Sequence, residues 1–256
     1  MSATGGGIKV DRRVALVIDL LLLLLVWHVA ATALNRSFLP TPWTVLTTFS
    51  REVQGPLLVH SWASLRRVLL SVVAGSAAAA PLAVLAAESR LVDTFLSPLV
   101  YFLYPTPKIV FLPIIVFLLG LGDPSIVFLI SLIVFFQVYV IVRDALARVP
   151  AATLDSMAAL GGGRRHRLRY LYAPLSAAAV LTALKVSVGT SIAVLFIAEA
   201  IGNNVGLGYY IVVDQWNRFA YPKVYAGVLA IAVLGSALFG IISWLEARAT
   251  RWQGAR

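Results

Sequence analysis

Six stretches of this chain are longer and more apolar than water tolerates, and no other feature of the sequence constrains its fold as strongly. A helix that crosses the hydrocarbon core of a bilayer needs roughly 20 predominantly apolar residues. Residues 14–34 meet that need, broken only by Asp19 and His28, and residues 68–87, 126–142, 175–201 and 224–245 do the same. The stretch 109–121 is short by itself and spans only if 91–104 leads into it through the break at Pro105-Thr106-Pro107. Composition agrees: 60% of the 256 residues are hydrophobic and 12% charged, against about 45–50% and about 25% in a soluble domain. The expected fold is an all-α membrane protein with about six transmembrane helices. A cleaved signal peptide competes for the start, with Lys9, Arg12 and Arg13 as basic region and Ala31-Thr32-Ala33 as cleavage motif. The apolar run is long for that role, and five more follow it.

The net charge is +10, from 21 Lys and Arg against 11 Asp and Glu. These basic residues lie between the apolar runs rather than in one stripe, which fits membrane topology and not nucleic-acid binding. With six spans and a cytoplasmic N-terminus, one side carries Lys9, Arg12, Arg13, Arg90, Arg143, Arg148, the four arginines of 164–169, Arg248, Arg251 and Arg256. The other carries only Arg36, Arg51, Arg66, Arg67, Arg218 and Lys223. The excess belongs inside, so both termini are expected in the cytoplasm. Arg66 and Arg67, just ahead of the second span on the outer side, fit this least well. The organisation is then a cytoplasmic segment 1–13, a transmembrane domain 14–247 and a basic cytoplasmic tail 248–256.

One connection is too elaborate for a plain bundle. Residues 143–173 form a cytoplasmic loop of about thirty residues that carries six arginines. Within it Leu154, Met157 and Ala158 fall at i, i+3 and i+4, the spacing of one face of a short helix. Gly161-Gly162-Gly163 ends that helix, because consecutive glycines lose too much backbone entropy inside one. A second basic stretch leads to Pro174, predicted to open the fifth span, since proline suits a helix's first turn. Such a helix either docks in a groove of a partner or lies on lipid.

From Asp155 this loop reads Asp-Ser-Met-Ala-Ala-Leu-Gly161, with Pro174 thirteen residues later. It resembles the loop of bacterial binding-protein-dependent ABC importer permeases, where Glu-Ala-Ala precedes three residues, a Gly and a proline-led span. Here Asp155 stands at the Glu position, and Ser156 and Met157 replace the two alanines. Further stretches are similar to the nitrate/sulfonate/taurine branch. They are Phe38-Leu39-Pro40-Thr41-Pro42, Ser64-Leu65-Arg66-Arg67, Tyr104-Pro105-Thr106-Pro107-Lys108 with Pro113, Gly120-Leu121-Gly122-Asp123, and Ala198-Glu199 followed by Gly206-Leu207-Gly208-Tyr209.

The resemblance implies the type I ABC importer permease fold, with a coupling helix between spans four and five. It implies a homodimer in the bacterial cytoplasmic (inner) membrane, two copies of an ABC ATPase, and an external substrate-binding protein. Leu154, Asp155, Met157, Ala158, Gly161 and Pro174 would couple the chain to the ATPase. The chain would be a non-catalytic subunit that binds no cofactor itself, with ATP and Mg on the ATPase. The solute it implies is a small organic or inorganic anion such as sulfonate, taurine or nitrate, or alternatively a pyrimidine or flavin vitamin precursor.

Ionisable and polar groups inside spans are functional candidates by default. Lys108, Gln137, Tyr139, Lys185 and Glu199 are therefore candidates for a polar path, with snorkelling or loop capping as the structural alternative. Lys185 and Glu199 cannot pair along one helix, being fourteen residues apart. Lys108 follows two prolines, where free backbone carbonyls can take its ammonium. No phosphate-binding Gly-x4-Gly-Lys-Ser/Thr occurs, cysteine is absent, and His28, His60 and His166 are too scattered for a metal site. An intramembrane protease would need Ser187 to meet Lys185, but i and i+2 positions on a helix diverge, and no second acid completes a site. A stand-alone carrier or channel would leave the cytoplasmic loop unexplained, and no internal repeat of the kind secondary carriers show is visible.

Overall fold

The apolar runs fold as helices in the computed structural model, which describes residues 12–250, and no strand occurs among the described residues. Helices suit lipid because backbone donors find acceptors within the same segment. The chain begins with α1 (Arg12–Leu34), a short α2 (Pro42–Glu52) and α3 (Pro56–Glu88). Next come α4 (Arg90–Leu103), a 3-10 turn (Lys108–Phe111), α5 (Leu112–Leu119) and α6 (Asp123–Ala147). The loop carries α7 (Ala151–Ala159) and α8 (Arg164–Arg167). Then α9 (Ala173–Gly202), a π-helical segment (Tyr209–Trp216) and α10 (Tyr221–Ala249) follow. Five helical stretches are long and apolar enough to cross a membrane, and α4 with α5, bent by 91° at the break, makes a sixth. Residues 1–11 and 251–256, with Lys9, Arg251, Arg256 and most of the two terminal segments, lie outside the described residues.

The core is built around α6. Its Ile126, Leu129, Ile130, Val134, Val138 and Val142 are buried between α3 and α9, its two most extensive neighbours. On α3, Gly75 and Ala79 face this seam, and a Cβ at Gly75 would stand 2.6 Å from the Ser131 carbonyl oxygen. Small residues let the two backbones approach, as the run of glycine and alanine predicts. By contrast α1 stands apart, with Leu21, Leu23 and Val26 all more than half exposed. Trp27 tethers it, donating its indole N–H to the Pro40 carbonyl at 3.0 Å and stacking on Tyr225 at 5.8 Å.

Two boundaries differ from expectation. The second span starts at Pro56 rather than 68, because its first three turns carry His60, Ser64 and Arg67, whose polarity hides a helix from an apolar window. The fifth span starts at Arg164 rather than at Pro174, and helix runs unbroken to Gly202. The turn Leu168–Tyr172 is π-helical, with the Ala173 N–H donating to the Leu168 carbonyl. That wider turn accommodates a proline one residue later, where an α-helix would lose a hydrogen bond and clash.

Candidate functional site

The short helix α7 is held out at one end of the bundle and buries none of its residues. Leu154 and Met157 are half-buried, while Asp155, Ser156 and Ala158 are exposed. Its C-terminus is a Schellman turn: the Gly162 N–H donates to the Met157 carbonyl at 2.8 Å and the Gly161 N–H to that of Ala158 at 2.9 Å. Gly161 has φ +78°, the left-handed conformation that glycine adopts without a Cβ penalty. The turn leaves Leu160 at the tip, 89% exposed.

In the middle of the bundle, Tyr104, Thr106, Lys108, Phe136, Gln137 and Thr190 help to line a cleft of about 370 Å³. Lys108 sits at the bend between α4 and α5 and is 8% exposed. Its ammonium donates to the carbonyls of Leu103 and Tyr104 at 2.6 Å and of Thr106 at 2.9 Å, and lies 4.4 Å from the centre of the Phe136 ring. The break leaves the Tyr104 and Thr106 carbonyls to the lysine, which also shares the Leu103 carbonyl with the Thr106 N–H, so its three donors are fully used. Gln137, one helical position along from Phe136, has no hydrogen-bond partner for its side-chain amide among the described residues.

A third cluster occupies the end of the bundle opposite α7. Glu199 of α9 is fully buried and Arg67 of α3 is 2% exposed. Arg67 pairs with Glu199 and also with Asp123 at the start of α6, where its guanidinium nitrogens stand 2.6 and 2.8 Å from one carboxylate oxygen. It donates further to the Val205 carbonyl at 2.7 Å. Glu199 accepts from the Ser64 hydroxyl at 2.8 Å and from the Gly208 N–H at 3.0 Å. The Leu207 N–H in turn donates to Ser64, and the Gly206 N–H to Nδ1 of His60 at 3.0 Å. Gly206 has φ +134°, and a methyl group there would overlap the Glu199 carboxylate. Arg66 pairs with Asp123 from the surface, and Asn203 donates to it at 3.2 Å. Below this loop Tyr210 donates to Glu52 at 2.9 Å; burial and that carboxylate push the phenol well above its ordinary pKa.

Of the five path candidates, then, Lys108 and Gln137 share one cleft. Tyr139 is buried and meets the Ser97 hydroxyl at 2.9 Å, Lys185 pairs with Glu246 of α10 at 2.9 Å, and Glu199 belongs to the far cluster. Of the coupling residues, Leu154, Asp155, Met157, Ala158 and Gly161 lie on or directly after α7, while Pro174 is ten residues inside the next helix. The far cluster was not read from the sequence as a site. Its signal was there: two arginines with no topological reason to sit outside, and an acid inside a span with no partner on its own helix. Among the described residues no group of His, Cys, Asp and Glu is arranged to hold a metal ion.

The profile of a family described as "Binding-protein-dependent transport system inner membrane component" matches residues 79–251. The taurine transport system permease protein TauC of Escherichia coli is 30% identical over 254 residues, covering 95% of this chain and 92% of that one. The riboflavin transport system permease protein RibX of Chloroflexus aurantiacus is 24% identical, covering 93% and 90%. Among solved structures, an inward-facing form of the MetNI methionine ABC transporter superposes with a TM-score of 0.62 at 19% identity, over 76% of this chain and 97% of that one.

Proposed function

The chain belongs to the binding-protein-dependent transport system inner membrane components, and from that premise we propose that it forms the path of an ATP-driven importer for a small anionic solute. The observation that carries this reading is α7. A helix with nothing buried, ended by a glycine turn and tipped by an exposed leucine, is a shape that fits a groove in a partner. The partner is an ABC ATPase that holds ATP and Mg, one per permease copy. Leu154, Met157 and Leu160 supply the apolar contact, Asp155 and Ala158 the exposed rim, and Gly161 the sharp exit. Pro174 does not touch the partner; it lies where the π-helical turn enters α9.

Arg165, His166, Arg169 and Arg248 share the α7 end with this helix, which supports a cytoplasmic placement for it and for both termini. A second copy of the chain packs across α9, where Val186 and Ile197 stay exposed beside Gly189 and Ala193, a surface of small and apolar groups suited to close helix contact. The solute passes the cleft at Lys108 and Gln137, delivered by an external binding protein. The sulfonate reading draws on the likeness to a taurine permease; the likeness to a riboflavin permease keeps the vitamin-precursor reading as the second outcome of a substrate screen. Lys185, Tyr139 and Glu199 do not line this cleft and are not assigned to the path.

The test is co-purification with the ATPase encoded beside this chain, followed by ATP hydrolysis in liposomes. The expected result is a stable complex that Leu154→Asp with Gly161→Trp dissociates or silences. A wild-type chain that retains no ATPase, or a double variant with full coupled activity, would overturn the reading.

A further inference from the structure

The coupling helix itself has almost no grip on the bundle, so any force applied to it must pass through the two places where its loop is rooted. Both roots are clasped to the same corner. Ahead of the loop, Arg143 of α6 grips Asp93 through Nε and Nη2 of its guanidinium, one to each carboxylate oxygen, both at 2.7 Å. Behind it, Arg167 of α8 grips Glu88 in the same two-pronged way, at 2.6 and 2.8 Å, and Arg164 adds a bond to Glu88 at 3.1 Å. Glu88 closes α3 and its side chain is 2% exposed. Asp93 stands in the first turn of α4, and between the two acids only Ser89 leaves the helical conformation, capping α4 with its hydroxyl.

We propose that this α3–α4 corner, with Glu88 and Asp93 as positioning residues, is the lever through which movement of the coupling helix reaches the substrate cleft. The inference rests on the reading of α7 as the ATPase contact. Paired N–H···O bonds between guanidinium and carboxylate fix orientation as well as distance, so a tilt of α6 or α8 is passed on rather than absorbed. From the corner the path is continuous. Asp93 accepts from the Ser97 hydroxyl at 2.6 Å, and Ser97 meets Tyr139 of α6 at 2.9 Å. The helix α4 then runs to the bend whose carbonyls hold Lys108 over the cleft. Two rigid attachments on either side of one loop give a physically contiguous route from the loop to the cleft; a coupling route also requires two arrangements of that element, which spin labels read directly. Arg164 and Arg167 keep side chains 66% and 36% exposed, and both reach the buried Glu88 carboxylate, a contact that topology alone does not call for.

The chain contains no cysteine, so a single introduced one carries a unique spin label. With the permease–ATPase complex in liposomes, labels at Phe102→Cys near the end of α4 are measured between the two copies, without nucleotide and with ATP plus vanadate. Parallel samples carry the label at Ala177→Cys, exposed on a different face of α9 from Ile197, which is joined to α8 by continuous helix. The expected result is a nucleotide-driven change at both positions in the otherwise unaltered chain. In Glu88→Gln with Asp93→Asn the change at 102 is lost, while ATPase binding and the change at 177 persist. Arg167→Lys, which keeps the charge and loses the fork, reduces the change at 102 without loss of assembly. A full change at 102 in these variants, or none in the unaltered chain, would overturn the lever. Failure of the unaltered chain to hold the ATPase would instead overturn the importer reading, and this inference with it.

Discussion

Arg67→Met keeps the length and apolar bulk of the side chain and deletes its charge at the centre of the far cluster. The native guanidinium is 2% exposed and joins Glu199, Asp123 and the Val205 carbonyl. Without it Glu199, which has no solvent access, keeps only the Ser64 hydroxyl and the Gly208 N–H. Removing one partner of a buried ion pair costs about 3–5 kcal/mol, because the other charge stays buried and unpaired. At about 2–4 °C per kcal/mol for a chain of this size, the melting temperature falls by roughly 6–20 °C. Glu199→Gln is milder, since it removes the charge but leaves an amide oxygen to accept; about 1–3 kcal/mol is expected. The double variant is then more stable than Arg67→Met alone, because no uncompensated charge remains inside. The assay is thermal unfolding of the purified chain in detergent at one scan rate, read by the fluorescence of its six tryptophans. An Arg67→Met protein that melts within about 2–4 °C of the wild type, equivalent to about 1 kcal/mol, would refute the argument. So would a double variant in which the two losses simply add.

Gly206→Ala meets both a left-handed backbone and the Glu199 carboxylate, so it is expected to destabilise by more than about 1 kcal/mol in the same melting assay, and its added loss in a Glu199→Ala background is expected to be smaller than in the wild type, because only the backbone strain remains. Lys108→Met takes its donor away from the Tyr104 and Thr106 carbonyls at the bend of α4 and α5, at about 1–3 kcal/mol for each group left bare. Limited proteolysis between residues 103 and 112 is expected to speed up in that variant and to be restored in Lys108→Arg.

The sequence and the structure part company where charge is concerned. Arg66 and Arg67 look like misplaced topology signals when each is compared with the nearest span. They make sense only beside Asp123 and Glu199, which lie more than fifty residues further along the chain. Lys185 likewise looks solitary until α10 brings Glu246 alongside. Four of the short stretches that suggested the family, around Ser64, Asp123, Glu199 and Gly206, had no visible reason to occur together. In the folded chain they are one cluster, and Gly206 is small because the Glu199 carboxylate lies against it.

What the sequence alone determined was everything local or periodic. The apolar runs set the spans because lipid offers no partner to an open backbone. The break at Pro105-Thr106-Pro107 and its waiting lysine were legible because proline removes hydrogen bonds from carbonyls nearby. The helix at Leu154 and its end at Gly161 followed from spacing and from the left-handed turn that glycine permits. Tertiary structure alone decided which charges meet, that α3 begins at Pro56, and that Pro174 lies inside a helix rather than at its start. Those outcomes depend on contacts between spans, and an ion pair between helices leaves no period in the chain that carries it.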